Sequence, residues 1–332
     1  MKTRNPEVDI IKGISIYLVV LGHLLDLIGD SAAWINLCHL PAFFLVSGFL
    51  LCGSLSRHSI GELFRSKTKG LLIPYLFWSG ISLVANLGLS VIQNGALSKD
   101  VFVAELKDIF LHGRSVWFLL QLLLAHYVFL LCKKVVKNER QFWIVSIVAY
   151  IFLCLIFPDE WFQLILFKRL YAFFLLGYCF ASVSEIGEVF RKRITVGFIP
   201  LIACIYIICV WLFEKAGFYE QMIAEINNAY IVILGMAIGA VGVLLIYAFA
   251  RVLTNHRIGD SIGIIGQYSI DIYVMHMFLV KFIPVQRLLN KFPYTVTYIL
   301  LMLYAALIVL TIYYLAAYVL RRSKLYCLSV GR

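Results

Sequence analysis

The chain has 332 residues, 62% of them hydrophobic and 14% charged, with a net charge of +11. Soluble domains run nearer half apolar and a quarter charged. The two or three soluble domains that this length would otherwise suggest are therefore excluded, and a polytopic membrane protein remains.

About 20 apolar residues carry a helix across a bilayer core. Ten such segments are predicted, near 8–28, 32–53, 71–92, 116–132, 142–158, 164–182, 194–213, 229–250, 261–283 and 296–319, the fourth and fifth short enough to be tilted or re-entrant. The expected fold is an all-α integral membrane bundle of one domain over residues 1–332. Of the 29 Lys and Arg residues, 19 lie before the first segment, after the last, or in the connections on the same side; six lie in the opposite loops. This positive-inside asymmetry predicts both termini to be cytoplasmic. The net charge thus reports topology, and nucleic acid is not an expected partner.

The first segment contains VDIIKGISIYLVVLGH (Val8 to His23). Its apolar run is too long, and its lysine misplaced, for a cleavable signal. Eleven residues of α-helix turn through three turns plus about 20° and rise ~16 Å, so Lys12 and His23 share one face. Asp9 and Asp26 extend the stripe. Ionisable residues in a span usually face the bundle interior or water. The plainer alternatives are a snorkelling Asp9–Lys12 pair at the interface and a packed His23.

The second segment opens CHLPAFFLVSGFLL (Cys38 to Leu51). A hairpin turning near Ser31 puts His23 and His39 at one depth. The connection over 53–70 carries Arg57, Arg65, Lys67 and Lys69 ahead of LLIPY, with Pro74 in the first turn of the third segment, where it is tolerated. Residues 93–115 place Val101, Phe102, Leu106, Ile109 and Phe110 at helical spacing, which predicts a short amphipathic surface helix. Trp117 and Arg169 fall near the starts of the fourth and sixth segments, bordering the His23 layer. In the ninth, SIGIIGQYSIDIYVMHMFLVKFI (Ser261 to Ile283), His276 lies about seven residues from the outer end, again at the depth of His23.

Three converging histidines would suit zinc, but no HxxH or HxxxH pair supplies two ligands from one helix, and no metal is expected. The eight cysteines form no CxxC pair and read as packing residues. His126 and His256 receive no role. No P-loop and no strand-borne GxGxxG unit occurs, so no ATP-driven engine is expected.

DIIKGISIYLVVLGH, HLPAFFLVSGFLL, KTKGLLIPYLFW and IGQYSIDIYVMH resemble, in this order, the motifs of the integral-membrane acyltransferase 3 family, nearest to its sugar O-acetyltransferase branch. VWFLLQLLL (Val116 to Leu124) and RLYAFFLLGY (Arg169 to Tyr178) fit between them, so the resemblance covers most of the chain. The family's basic-x10-His motif falls on Lys12 and His23, where many members carry arginine instead of lysine. Its His-Pro motif falls on His39 and Pro41, and its late Tyr-x-x-His on Tyr273 and His276. The hydrolase-like soluble domain of longer members is not expected here.

The resemblance implies a multi-pass protein of the inner (plasma) membrane that uses cytoplasmic acyl-CoA, with acetyl-CoA the expected donor. The implied acceptor is a hydroxyl of a cell-envelope or exported sugar or glycan, lipid-linked sugars included; membrane lipids are the other partner. Histidine suits the base that such a transfer needs near neutrality. The expected catalytic residues are His23 as base, with His39 and His276 orienting it or donating to the oxyanion. Lys12, Arg65, Lys67 and Lys69 are the expected contacts of the coenzyme A phosphates. Asp26, Trp117, Arg169 and Tyr273 are the expected acceptor-side residues. Rival readings are a flippase or carrier, and an acyltransferase acting on lipid or protein. Against the first, no inverted repeat or matched pair of Gly/Pro-broken helices is legible; the HxxxxD motif of glycerolipid acyltransferases is absent.

Overall fold

The computed structural model of the protein describes residues 5–94, 99–110, 116–136, 138–156, 164–183, 196–224, 228–280 and 285–331. Among these residues every regular element is helical. In chain order they are α1 (Pro6–Asp26), α2 (Ala33–Asn36), α3 (His39–Leu55), α4 (Ile60–Lys67), α5 (Ile73–Asn94), α6 (Lys99–Phe110), α7 (Trp117–Val135), α8 (Glu139–Ile156) and α9 (Leu164–Ser182). There follow α10 (Ile199–Lys215), α11 (Phe218–Ala224), α12 (Ala229–Leu253), α13 (Arg257–Gln267), α14 (Ser269–Val280), α15 (Val285–Lys291), α16 (Tyr294–Tyr314) and α17 (Lys324–Ser329).

Eight spans among the described residues are long and apolar enough to cross a membrane, or nine if the bent pair α13–α14 is one span. The architecture is the expected all-α membrane bundle. The remaining predicted segment, 194–213, is α10, whose helix has 17 residues. Residues 157–158, 194–195 and 281–283 of the predicted segments lie outside the described residues, as do Lys281, Arg114 and the cluster Arg191, Lys192 and Arg193.

The chain divides into two compact units, Met1–Leu51 with Phe173–Val319, and Cys52–Ala172 with Leu320–Arg332. In the first, α1 is the central post. Asn5 caps it by accepting from the Val8 N–H, Pro6 opens it, and Glu7 and Asp9 occupy its first turn, where the helix dipole favours negative charge. Glu7 also pairs with Arg251 of α12 at 3.7 Å.

Lipid supplies no hydrophobic drive between helices, so close packing over small residues holds them together. A Cβ on Gly13 would sit 2.2 Å from the Ile262 carbonyl oxygen, and one on Gly266 1.9 Å from that of Asp9, so α13 lies directly on α1. Gly48 and Gly177 join α3 to α9 in the same manner, each 1.9 Å from a facing carbonyl oxygen by the same construction.

The ninth predicted segment departs from expectation. It is two helices, bent by 77° at Tyr268. Glycines at 259, 263 and 266 weaken α13 as an isolated helix; the close approach of Gly263 and Gly266 to α1, and of Gly259 to Leu253 at the end of α12, outweighs that loss. Asp271 in the first turn of α14 then favours a new helix start.

In the second unit, α4 starts with a capping box: the Ser59 hydroxyl accepts from the Glu62 N–H, and the Glu62 carboxylate accepts from the Ser59 N–H at 2.8 Å. A π turn, Thr68–Leu72, links α4 to α5. Pro74, second in α5, lacks the donor for a bond to the preceding turn, and this local widening precedes it. The predicted amphipathic helix is α6: Ile109 is buried, Phe102 and Phe110 are exposed, and the Tyr75 hydroxyl donates to the Ile109 carbonyl. Trp78 Nε1 donates to the Ser329 carbonyl at 3.0 Å, fixing α17 in this unit.

Candidate active site

The polar stripe predicted on α1 is present, with a paired group at each end. Near the N-terminal end, Lys12 Nζ lies 3.6 Å from Asp9 Oδ1, the plain pairing that the spacing also allowed. Near the C-terminal end, His23 Nδ1 lies 3.6 Å from Asp26 Oδ2. Leu21, Leu24 and Leu25 around it are fully buried, while the His23 side chain remains 38% exposed. His23 is thus set in a packed wall with its ring accessible.

The two other predicted histidines gather about it. The rings of His23 and His276 stack with centroids 5.2 Å apart and planes at 28°. The 77° bend at Tyr268 sets the direction of α14 and so the place of His276. Tyr273, on the same helix, has its ring 5.7 Å from that of His276. His39 opens α3, is buried, and interacts electrostatically with both His23 and Asp26.

The buried pair differs chemically from His23. His39 Nδ1 lies 2.7 Å from the Ile35 carbonyl oxygen, and His276 Nδ1 lies 2.6 Å from that of Tyr273. A carbonyl can only accept, so each Nδ1 carries a proton, and in the neutral ring Nε2 is then an acceptor. Donation from Nε2 would require the charged imidazolium. His276 Nε2 is buried with no hydrogen-bond partner among the described residues.

Asp26, expected on the acceptor side, has Oδ2 3.6 Å from Nδ1 of His23, where a carboxylate favours the tautomer whose lone pair is on Nε2. Asp271 was not singled out by sequence reasoning. It is fully buried on α14, five residues before His276, and a carboxylate inside a predicted span was the available signal.

The remaining predicted residues lie in the second unit. Arg65 and Lys67 occupy the last turn of α4 and Lys69 the π turn, with Arg65 and Lys69 exposed. Trp117 starts α7, its ring 6.2 Å from that of Phe118. Arg169 Nε donates to the Ile165 carbonyl within α9 at 3.4 Å. His126 is buried on α7 with Nδ1 2.7 Å from the Leu122 carbonyl oxygen, as a packed histidine would be. Among the described residues, no group of three or more His, Cys, Asp or Glu side chains is placed to hold a metal ion.

In the first unit, an apolar cavity of about 370 Å³ runs beside the first turns of α1. Val8, Ile11, Ala42, Val46 and Leu244 line it, together with the polar residues Asn5 and Glu7. Ala42 is one helical turn from His39.

Comparison with known proteins fits this arrangement. Residues 5–318 match the model of the acyltransferase 3 family, described as an acyltransferase domain. The chain is 32% identical over 197 residues to nodulation protein NolL of Sinorhizobium fredii, covering 55% of this chain and 50% of that protein. It is 24% identical over 294 residues to nodulation protein NolL of Mesorhizobium japonicum, covering 82% of this chain and 75% of that protein. The chain thus spans about half the length of the first relative and three quarters of the second. No solved structure matches the chain. The motif order, the helical bundle and the match over nearly the whole sequence agree: this multi-pass membrane protein belongs to the integral-membrane acyltransferase 3 family.

Proposed function

We propose that this protein is a membrane O-acyltransferase that moves an acetyl group from cytoplasmic acetyl-CoA to a hydroxyl of a cell-envelope or exported sugar. The observation that carries the reading is the accessible His23 ring, paired with Asp26 and stacked on the buried His276. His23 Nε2 takes the proton of the sugar hydroxyl as its oxygen attacks the thioester carbonyl carbon. The C–S bond then breaks, and the imidazolium returns the proton to the departing thiolate. The products are the O-acetyl sugar and free coenzyme A, and the scheme needs no metal. Asp26 stabilises the imidazolium between the two steps. His276 and His39 hold the layer in shape, and Tyr273 walls it.

On this reading the protein lies in the inner membrane with both termini cytoplasmic. Charge-assisted contacts with the coenzyme A phosphates are assigned to Arg65, Lys67 and Lys69 of the second unit. Replacing Lys67 and Lys69 together with glutamine should raise the KM for acetyl-CoA about tenfold, the loss of one to two charged hydrogen bonds, with kcat little changed. An unchanged KM would remove the donor assignment.

The central test is purified protein with acetyl-CoA labelled in the acetyl group. Protein-dependent release of coenzyme A with label appearing in glycan supports transfer. Movement of a sugar across vesicles without acetyl-CoA consumption would favour a carrier. One bent helix pair occurs among the described residues, without the matched second break that carrier folds use at their binding site.

A further inference from the structure

Beyond His23 the chain does not run straight into α3. The connection from Leu27 to Ser31 and the short α2 form a turn held by polar contacts from several elements. The Ala32 N–H donates to Asp30 Oδ1 at 2.8 Å, and the Tyr294 hydroxyl of α16 donates to Asp30 Oδ2 at 2.7 Å. Asn36 Nδ2 donates to the Ser31 carbonyl and to the Tyr219 hydroxyl of α11, each at 3.0 Å. The Tyr206 hydroxyl of α10 donates to the Trp34 carbonyl at 2.6 Å, and the Ser31 hydroxyl donates to Glu214. Ala32 is held left-handed at φ 46°, a conformation that alanine rarely adopts.

Such bracing fixes the backbone yet leaves side chains presented outward. Trp34 is 36% and Tyr294 52% exposed, and Tyr298 adds a ring 6.2 Å from that of Tyr294. Asp26 and Asp30 lie between these rings and His23 in the chain. Flat aromatic faces beside carboxylates are the surface that a sugar ring recognises: its C–H face stacks on the ring and its hydroxyls donate to the carboxylates. Behind them the layer holds His276 Nε2, buried and without a hydrogen-bond partner among the described residues. Its Nδ1 is bound to the backbone of its own helix, so Nε2 points away from that backbone beside the His23 ring.

We propose that Trp34, Tyr294, Asp30 and Asp26 form the acceptor subsite, and that it takes an uncharged sugar ring. The inference rests on the acyltransferase reading. Asp26 and Asp30 repel an anionic ring. Lys215 and Lys291 stand on neighbouring elements, with their ammonium groups over Trp211 at 5.9 Å and Phe292 at 5.5 Å.

The experiment measures coenzyme A release and acetyl transfer from acetyl-CoA to a panel of nitrophenyl hexosides and a nitrophenyl glucuronide. Extracted envelope glycan serves as a further acceptor. Wild-type protein should acetylate at least one neutral hexoside and disfavour the glucuronide. Trp34→Ala and Asp30→Asn should each raise the acceptor KM about tenfold while the KM for acetyl-CoA holds. Trp34→Phe, which keeps a ring, should restore most of the affinity and so separates recognition from misfolding. An acceptor KM unchanged in both damaging variants, no transfer to any hexoside, or equal use of the glucuronide would overturn the subsite. If no acceptor, envelope glycan included, releases coenzyme A, the acyltransferase reading itself fails.

Discussion

Replacing His23 with alanine should reduce acetyl transfer by a factor of about 10² to 10⁴, the usual share of a positioned general base. Membrane insertion should be unaffected. The basis is the contrast among the three histidines. His39 and His276 have Nδ1 committed to backbone carbonyls, whereas His23 faces a carboxylate and is part-exposed. It alone of the three combines an orienting acid with access. His23→Gln keeps a polar side chain of similar reach and should be equally inactive, because an amide cannot take up the proton. Asp26→Asn should be milder, since the ring would remain stacked on His276 while losing the charge that stabilises its protonated form. The comparison is made at equal amounts of detergent-extracted, monodisperse protein. Wild-type rates in the His23→Ala protein would remove the base assignment.

The second large effect is expected from a single methyl group far from any reacting atom. Gly266→Ala places a Cβ 1.9 Å from the Asp9 carbonyl oxygen, and backbone cannot yield as a side-chain tip would. Overpacking of this kind costs about 1–3 kcal/mol and sometimes more. Here α13 must move off α1, carrying α14 and His276 with it. A shift of about 1 Å at a catalytic group can cost ~10²-fold in rate. The expected result is a lower melting midpoint in detergent together with at least tenfold slower transfer. Gly80→Ala is the matched control, because nothing lies within 4 Å of its added Cβ. Equal behaviour of the two variants would show that the close crossing does not position His276.

Why were some of these features legible in the sequence? The stripe on α1 depends only on the period of one helix, so Lys12, His23, Asp9 and Asp26 could be placed by arithmetic. The depth of His39 and His276 followed from counting residues to the ends of segments, which needs no knowledge of packing. The break at Tyr268 was hidden because its cause is a surface on α1, some 250 residues away in sequence; the local pattern of 261–283 has the length and mean apolarity of a single span. Asp271 was passed over inside that same pattern. Asp30, Trp34 and Tyr294 escaped notice because their meaning lies in bonds between distant elements, such as Tyr294 to Asp30. The division of labour among the histidines was equally hidden, since it depends on which carbonyl each ring meets.

The place of α1 in its unit has a consequence for biosynthesis. Its packing partners α12, α13, α14 and α16 all come from the later part of the chain. At a synthesis rate of about 5–20 residues per second, the ~230 residues between α1 and α13 take roughly 12–46 s to emerge. Throughout that interval Asp9, Lys12 and His23 have none of these later helices to face. The helix that carries the proposed chemistry is therefore the one most dependent on the insertion machinery, or on temporary neighbours, to keep its polar stripe out of lipid.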